Sequence, residues 1–170
     1  KREFIGFMIS AAHSDFPTFK VRESAEVVSA GDCVRLAVEP YGGMILRSWL
    51  DRPLSVAGRV MVRAGDCIAE RLVHINRDLL VIPSVAIHMN RNANDGMSYN
   101  PAVDMIPLCG EASDAGMLRK RVAEDIGVSE EDILTTDLFL YNPQRGVEWN
   151  GYVSAPRLDD LACVFGCLQG

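Results

Sequence analysis

In the stretch Ser154-Ala155-Pro156-Arg157-Leu158-Asp159-Asp160, two acidic residues stand directly before an apolar run, Leu161 to Leu168. The run is apolar on nearly all sides, which predicts a buried helix that begins just after the acids. The acids have two interpretations. They cap the helix and complement its dipole, or one of them bridges two metal ions. Their position alone does not decide between these.

A second stretch, Ala12-His13-Ser14-Asp15, lies near the start of the chain. The apolar run from Phe4 to Ala12 predicts a strand buried on both faces, and that strand would place His13 at its carboxyl end, where open α/β sheets bind ligands. Imidazole suits zinc or cobalt, and a carboxylate two positions on can accept the other ring N–H. The motif is short and also occurs by chance, so a metal role stays one of two alternatives.

Composition limits the classes of function. The chain has 170 residues, 48% of them hydrophobic, a net charge of −6 and a pI near 5.0. This charge argues against nucleic acid or an anionic membrane as the main partner. No window reaches the roughly 18 apolar residues that span a bilayer. Five scattered cysteines without a signal peptide make a disulfide framework unexpected. We therefore expect a cytoplasmic protein.

Both ends of the chain fall in apolar runs, which suggests a segment of a longer protein.

Short alternating segments occupy the chain from Val34 to about Thr135, and glycine or proline separates them. This pattern favours an antiparallel barrel or sandwich over a βαβ crossover, and it indicates an inserted β-rich module. The segments are Val34–Val38, Met44–Trp49, Val56–Val62, Ile68–Ile75 and Leu79–Ile82.

Helical signals follow the β-rich segments. Ser113 to Ile126 predicts a helix with Ser113 or Asp114 as its cap, and Ser129 to Asp132 predicts a short second one. Asp137 to Tyr141 then predicts a strand, and Asn142 to Gly151 a turn-rich connector. Cys163 and Cys167 are four residues apart on the last helix, where buried packing is favoured over metal binding.

Two further histidines lie in the β-rich segments. His74 alternates with apolar neighbours, which places it on the outward face of a strand. His88 stands alone in a short apolar segment, and its residues by themselves favour a partly buried histidine with a local hydrogen bond.

Five motifs follow one another along nearly the whole chain. They are Ala12-His13-Ser14-Asp15-Phe16-Pro17; Tyr41-Gly42-Gly43 with Trp49-Leu50-Asp51-Arg52-Pro53-Leu54-Ser55-Val56-Ala57-Gly58-Arg59-Val60; Leu72-Val73-His74-Ile75; Ile82-Pro83-Ser84-Val85-Ala86-Ile87-His88; and Ser154 to Asp160. In this order they resemble the motifs of the aspartyl aminopeptidase family of zinc metallopeptidases.

The resemblance implies an α/β fold: part of a co-catalytic zinc-peptidase catalytic domain, interrupted by an inserted β-rich dimerisation domain. The expected boundaries are 1–39 for the first part of the catalytic domain, 40–134 for the insertion and 135–170 for a truncated second part. Homodimers of such proteins build a dodecamer.

By matching positions, the resemblance makes His13 a zinc ligand, Asp15 the catalytic carboxylate that orients it, and Asp159 the carboxylate that bridges both metals. The family often has Asn at the position of Asp160, and related enzymes have a cis peptide bond after the bridging acid. His88 matches a histidine that binds substrate in the active site of a neighbouring subunit, which reverses the interpretation from its residues alone.

The implied reaction is removal of an N-terminal residue, preferably Asp or Glu, from a peptide. Two zinc ions, with cobalt or manganese as alternatives, would activate a water, and a glutamate would take its proton. In the family that glutamate and the remaining ligands lie downstream of the bridging aspartate, so we expect this chain alone to be inactive. The alternatives are a non-catalytic oligomerisation fragment or degenerate homologue, and an aminopeptidase that prefers neutral N-terminal residues.

Overall fold

The computed structural model describes residues 5–29 and 31–170. It contains two compact units. The larger is Pro17–Pro143, and the smaller comprises the described residues up to Phe16 together with Gln144–Gly170. The predicted boundaries at 39/40 and 134/135 concern domains of the full-length protein and stay predictions.

The larger unit is an antiparallel β-barrel. Six strands close a ring in the order β3-β5-β6-β2-β1-β7 and back to β3. Strand β4 pairs with residues 57–64 of β3, beyond the two residues that pair with β5. The strands are β1 (Thr18–Ser29), β2 (Cys33–Tyr41), β3 (Pro53–Ala64), β4 (Cys67–His74), β5 (Leu80–Val81), β6 (Leu108–Glu111) and β7 (Ile133–Tyr141). The prediction of antiparallel strands over this part of the chain is confirmed.

The ladder between β3 and β7 is the longest pairing that joins distant parts of the chain. Val56 stands opposite Leu140 and Val60 opposite Thr136. Because side chains alternate across a strand, the apolar positions of β3 point into the barrel. The fully buried side chains include Phe19, Leu36, Leu54, Ile82, Met105, Leu138 and Leu140.

Two segments of the barrel differ from prediction. Met44 to Trp49, predicted as a strand, contains a 3-10 turn over Leu46–Trp49. Strand β1 was not predicted, because charged residues and a β-bulge break its alternation: its register with β2 shifts between Val21 and Glu26.

The predicted central helix is present as α2 (Met117–Ile126), and a shorter helix α1 covers Pro101–Asp104. The cap prediction is wrong, because the donor groups at the start of α2 are satisfied from β1. The carboxylate of Glu26 accepts the N–H groups of Gly116 and Leu118, each at 3.0 Å. Asp114 instead accepts the N–H of Glu111 at 2.9 Å.

The two segments predicted after α2 are confirmed in outline. Glu130–Asp132 forms a 3-10 turn, and Ser129 makes no side-chain capping bond to it. The strand predicted at Asp137 to Tyr141 is the second half of β7.

In the smaller unit, the predicted strand from Phe4 to Ala12 is wrong. Residues 5–12 have no regular secondary structure, and Phe4 lies outside the described residues. A strand requires a neighbour for its backbone hydrogen bonds, and no strand of the described residues pairs with this segment.

The predicted connector ends in a hairpin of β8 (Val147–Trp149) and β9 (Tyr152–Ser154). Asn150 and Gly151 form its turn with φ values of 48° and 79°. Asn-Gly favours the turn that matches strand twist, because both residues tolerate positive φ. The rings of Trp149 and Tyr152 contact each other across the hairpin, with centroids 5.4 Å apart and planes tilted by 32°.

The chain ends in helix α3 (Leu158–Gln169), in which Asp159 and Asp160 have non-helical backbone angles, so the regular helix begins at Leu161. The helix is as predicted, but its burial is not: none of its side chains is buried. The apolar pattern predicts a covering surface that the described part of the chain does not supply. No helix of the described residues is long and apolar enough to cross a membrane.

Candidate active site

Two segments of the smaller unit, His13 to Phe16 and Arg157 to Cys163, lie against each other. The carboxylate of Asp160 accepts the backbone N–H of His13 at 3.3 Å. The guanidinium of Arg157 lies over the ring of Phe16, 5.2 Å from its centroid, which is a favourable cation–π distance. These contacts bring the two acidic motifs of the sequence to one place.

The imidazole of His13 is oriented by Asp15. Its Nδ1 lies 2.8 Å from the backbone carbonyl oxygen of Asp15 and 3.3 Å from carboxylate Oδ1 of the same residue. Because a carbonyl oxygen only accepts, Nδ1 carries the proton, and in the neutral ring Nε2 has the free lone pair. The bond to that carbonyl raises the pKa of His13, and the charges of Asp160, Asp15 and Asp159 add to the rise.

The free nitrogen of His13 faces the acidic pair. Nε2 lies 3.5 Å from Oδ1 of Asp159 and 3.9 Å from Oδ2 of Asp160. Zinc binds nitrogen and oxygen at about 2.0–2.2 Å with tetrahedral angles, so two ligand atoms on one ion lie about 3.4 Å apart. The separation of Nε2 and Oδ1 matches this edge of a tetrahedron. His13 and Asp159 therefore fit a shared zinc ion.

The two aspartates have different surroundings. Asp160 is 17% exposed at its side chain, whereas Asp159 is 95% exposed. Hydrogen bonding with Cys163 and with the backbone N–H of His13 lowers the pKa of Asp160. The carboxylate of Asp160 is thus engaged with His13, whereas that of Asp159 is open to solvent.

The peptide bond between Asp159 and Asp160 is cis, as the family resemblance implies. Cys163 and Cys167 are both exposed, so the expectation of buried packing is wrong. Sequence reasoning also missed the contact of Cys163 with Asp160, although their spacing of three residues on one helix is the signal that could have found it.

The other two histidines belong to the barrel unit. His88 is exposed on a turn in which the N–H of Met89 donates to the carbonyl of Ala86 at 2.8 Å. The partly buried environment favoured by its own residues is wrong. His74 is exposed on β4 as predicted, and its Nε2 lies 3.0 Å from the hydroxyl of Tyr141.

The described residues supply only part of a metal centre. Among residues 5–29 and 31–170, no group of three or more His, Cys, Asp or Glu side chains is arranged to hold a metal ion. A catalytic zinc ion commonly has three protein ligands and an open position. The arrangement supplies two donors of such a set, with one nitrogen oriented by a hydrogen bond from its other side.

Comparison with known proteins agrees with this chemistry. The family model described as aminopeptidase I zinc metalloprotease (M18) matches residues 2–170. A probable M18 family aminopeptidase 2 of Clostridium novyi is 41% identical over 175 residues, which cover 97% of this chain and 40% of that protein. The aspartyl aminopeptidase of Dictyostelium discoideum is 49% identical over 202 residues, covering 97% of this chain and 42% of that protein. The chain thus spans about two fifths of these relatives.

Solved structures show the same similarity. A chain in the cryo-EM structure of the Ape4 and Nbr1 complex has a TM-score of 0.86 and 31% identity, over 93% of this chain and 34% of that one. The mApe1 dodecamer of S. cerevisiae has a TM-score of 0.74 and 26% identity, over 93% of this chain and 36% of that one. Together with the family match over residues 2–170, these findings lead to one conclusion: the chain belongs to the M18 family of zinc aminopeptidases.

Proposed function

We propose that the full-length protein is a zinc-dependent aminopeptidase that removes N-terminal acidic residues from peptides, and that this chain supplies His13, Asp15 and Asp159 to its active site. The observation that carries the proposal is the distance of 3.5 Å between Nε2 of His13 and Oδ1 of Asp159. The nitrogen with the lone pair and the exposed carboxylate oxygen are separated by the distance expected of two ligands on one ion.

Each residue has a distinct part in this proposal. His13 would hold a metal ion through Nε2, and Asp15 orients the ring through Nδ1. Asp159 would be the carboxylate shared by the metal ions, while Asp160 accepts the backbone N–H of His13. Zinc, when bound, polarises the scissile carbonyl and acidifies a water. The remaining ligands and the general base are expected in the part of the relatives that this chain does not match.

The acidic specificity and the assembly are proposed from relatives. The Dictyostelium protein, 49% identical here, is named an aspartyl aminopeptidase, and the yeast structure is titled a dodecamer. We propose that residues 40–134 form the inserted dimerisation domain, and that His88 reaches substrate in a neighbouring subunit. Its exposed position on a turn supports this proposal.

The experiment compares His13→Ala and Asp159→Asn with the wild type in the full-length protein. His74→Ala is the matched control, because it removes an exposed histidine of the barrel that faces Tyr141. Zinc content is measured by elemental analysis, and kcat/KM is measured on otherwise identical glutamyl and leucyl substrates. We expect both site variants to lose zinc and at least about 100-fold in kcat/KM, and the control to keep both.

Three results would overturn parts of the proposal. Full zinc content and an unchanged rate in His13→Ala would show that His13 is not a metal ligand. Zinc binding without turnover in the wild type would favour a non-catalytic oligomerisation module. Faster cleavage of the leucyl substrate would favour an aminopeptidase of neutral specificity.

A further inference from the structure

The segment that carries His88 leaves the barrel after Ile82 and has no regular helix or strand before Pro101. Ile82 itself is fully buried. Residues 83–89 are all exposed, and they include the large apolar side chains of Val85, Ile87 and Met89. The direction in which this segment leaves the barrel therefore decides where His88 is placed.

One side chain holds the start of this segment. The carboxylate of Asp51 accepts the backbone N–H of Ser84 at Oδ1, 2.8 Å away, and the hydroxyl of Ser84 at Oδ2, 2.5 Å away. The backbone N–H of Asp51 donates to the carbonyl of Ile82 at 2.9 Å. Three hydrogen bonds therefore join one residue to both sides of Pro83, five residues before His88.

The position of Asp51 is itself fixed by the barrel. Leu50 forms a parallel bridge with Ile82, and the following strand β3 pairs Pro53 with Val81. Asp51 has a φ of 55°, a conformation that Asp, Asn and Gly adopt with least cost. Its two carboxylate oxygens form a fork that binds the N–H and the hydroxyl of the same residue, Ser84.

We propose that Asp51 is a positioning residue that fixes the direction of the His88 segment. This inference rests on the proposed substrate role of His88, and it deepens that role by naming what holds the histidine in place. Bonds to an ionised carboxylate are stronger than those between neutral groups, so loss of the fork releases the segment while the buried barrel residues stay in place.

Three variants of the full-length protein separate the effect of the carboxylate hydrogen bonds from the effect of the positive φ at Asp51. Asp51→Gly removes both acceptors and still allows the positive φ. Asp51→Asn keeps the shape and the φ preference; its amide oxygen accepts the N–H of Ser84 and its NH₂ donates to the hydroxyl. Ser84→Ala removes one of the two bonds. We expect Asp51→Asn to resemble the wild type and Asp51→Gly to show the largest effect.

Hydrogen exchange provides a readout independent of catalysis. The amide of Ser84 is bonded directly to Asp51, whereas the amide of Met89 is bonded to Ala86 within the His88 turn. We expect exchange at both amides to become at least about tenfold faster in Asp51→Gly. Faster exchange at Ser84 alone would show a local bond that does not organise the turn, and it would overturn the proposal.

Kinetic measurements then test whether Asp51 acts through His88. We expect Asp51→Gly to lower kcat/KM by no more than His88→Ala does, to keep full zinc content, and to cause no further loss in the double variant. An additive loss in the double variant would show that Asp51 acts elsewhere and would overturn the proposal. If His88→Ala has normal kcat/KM, the substrate role of His88 fails, and the exchange at Met89 still decides whether Asp51 holds the turn.

Discussion

Gly58 in β3 leaves no room for a side chain between two strands of the barrel. Its φ is +150°, and a Cβ placed there would lie 2.2 Å from the carbonyl oxygen of Asp137 and 3.0 Å from Cα of Leu138. Both atoms belong to the backbone of β7, so rotation of a side chain cannot relieve the contact. To make room for the added Cβ, Gly58→Ala therefore has to move β3 away from β7 or displace the backbone carbonyl of Asp137.

The expected cost has two parts. Overpacking in a well-packed region costs about 1–3 kcal/mol, and a backbone conformation reserved for glycine adds about 1–3 kcal/mol for another residue. We expect Gly58→Ala to lower the free energy of unfolding by about 2–6 kcal/mol, a large fraction of the roughly 5–15 kcal/mol of a typical domain. Gly65→Ala is the matched control, because Gly65 also has positive φ, +61°, but no atom lies within 4 Å of the added Cβ. It should cost only about 1–2 kcal/mol.

Urea denaturation measures both variants, with the fluorescence of Trp49 as the probe. Its ring packs edge-on against the fully buried Phe19, with centroids 5.2 Å apart. The chain has two tryptophans, so Trp149→Phe in the common background isolates this signal. With an m-value of about 2 kcal/mol/M, the midpoint of Gly58→Ala falls by about 2 M. An equal midpoint shift in the two glycine variants would refute the close-approach argument.

Three further predictions follow from side chains of the barrel. Glu26→Gln should destabilise the chain by about 1 kcal/mol in urea, because the carboxylate caps α2 through Gly116 and Leu118; unchanged stability would contradict this capping role. Lys20 and then Arg59 lower the pKa of Asp137 by hydrogen bonds, so the folded pKa is below the unfolded value of about 3.9. The stability difference between wild type and Asp137→Asn should therefore be present at neutral pH and disappear as pH falls below about 4, and a difference independent of pH would argue against it. Burial, with the charges of Glu26 and Asp114, raises the pKa of Cys109 to about 11, so about one thiol in a thousand is ionised at pH 8. Iodoacetamide should label exposed Cys67 well before Cys109 in the native chain, and equal labelling rates by mass spectrometry would contradict this.

The sequence predicted those strands whose alternation is uninterrupted. In β3, apolar residues recur at every second position near Val60 and Val62, both of which are buried. In β1, charged residues and the positive φ of Ser24, 51°, break the period of two. Local pattern therefore found β3 and missed β1, because a bulge changes which face each side chain occupies.

Local pattern also predicted helix α3 correctly but not its environment. An apolar helix forms from its own sequence, whereas burial requires a partner surface, and Phe165 is 64% exposed here. For the candidate site, spacing alone could not place His13 beside Asp160, since 147 residues separate them. The family resemblance of the ordered motifs is what placed these two segments in one site. The exposed fractions of Asp159 and Asp160 then showed which acid is occupied and which is free.

The β3–β7 ladder also sets an order of events during synthesis. Hairpins β1–β2 and β3–β4 are local and can form within microseconds of leaving the ribosome. The ring cannot close before β7 has emerged, because Ser55 pairs with Tyr141. Until then the free edge of β3 is open to pairing with other nascent chains. A ribosome-stalled chain that ends before Ile133 should therefore show protected hairpins, an unclosed barrel and a greater need for chaperones.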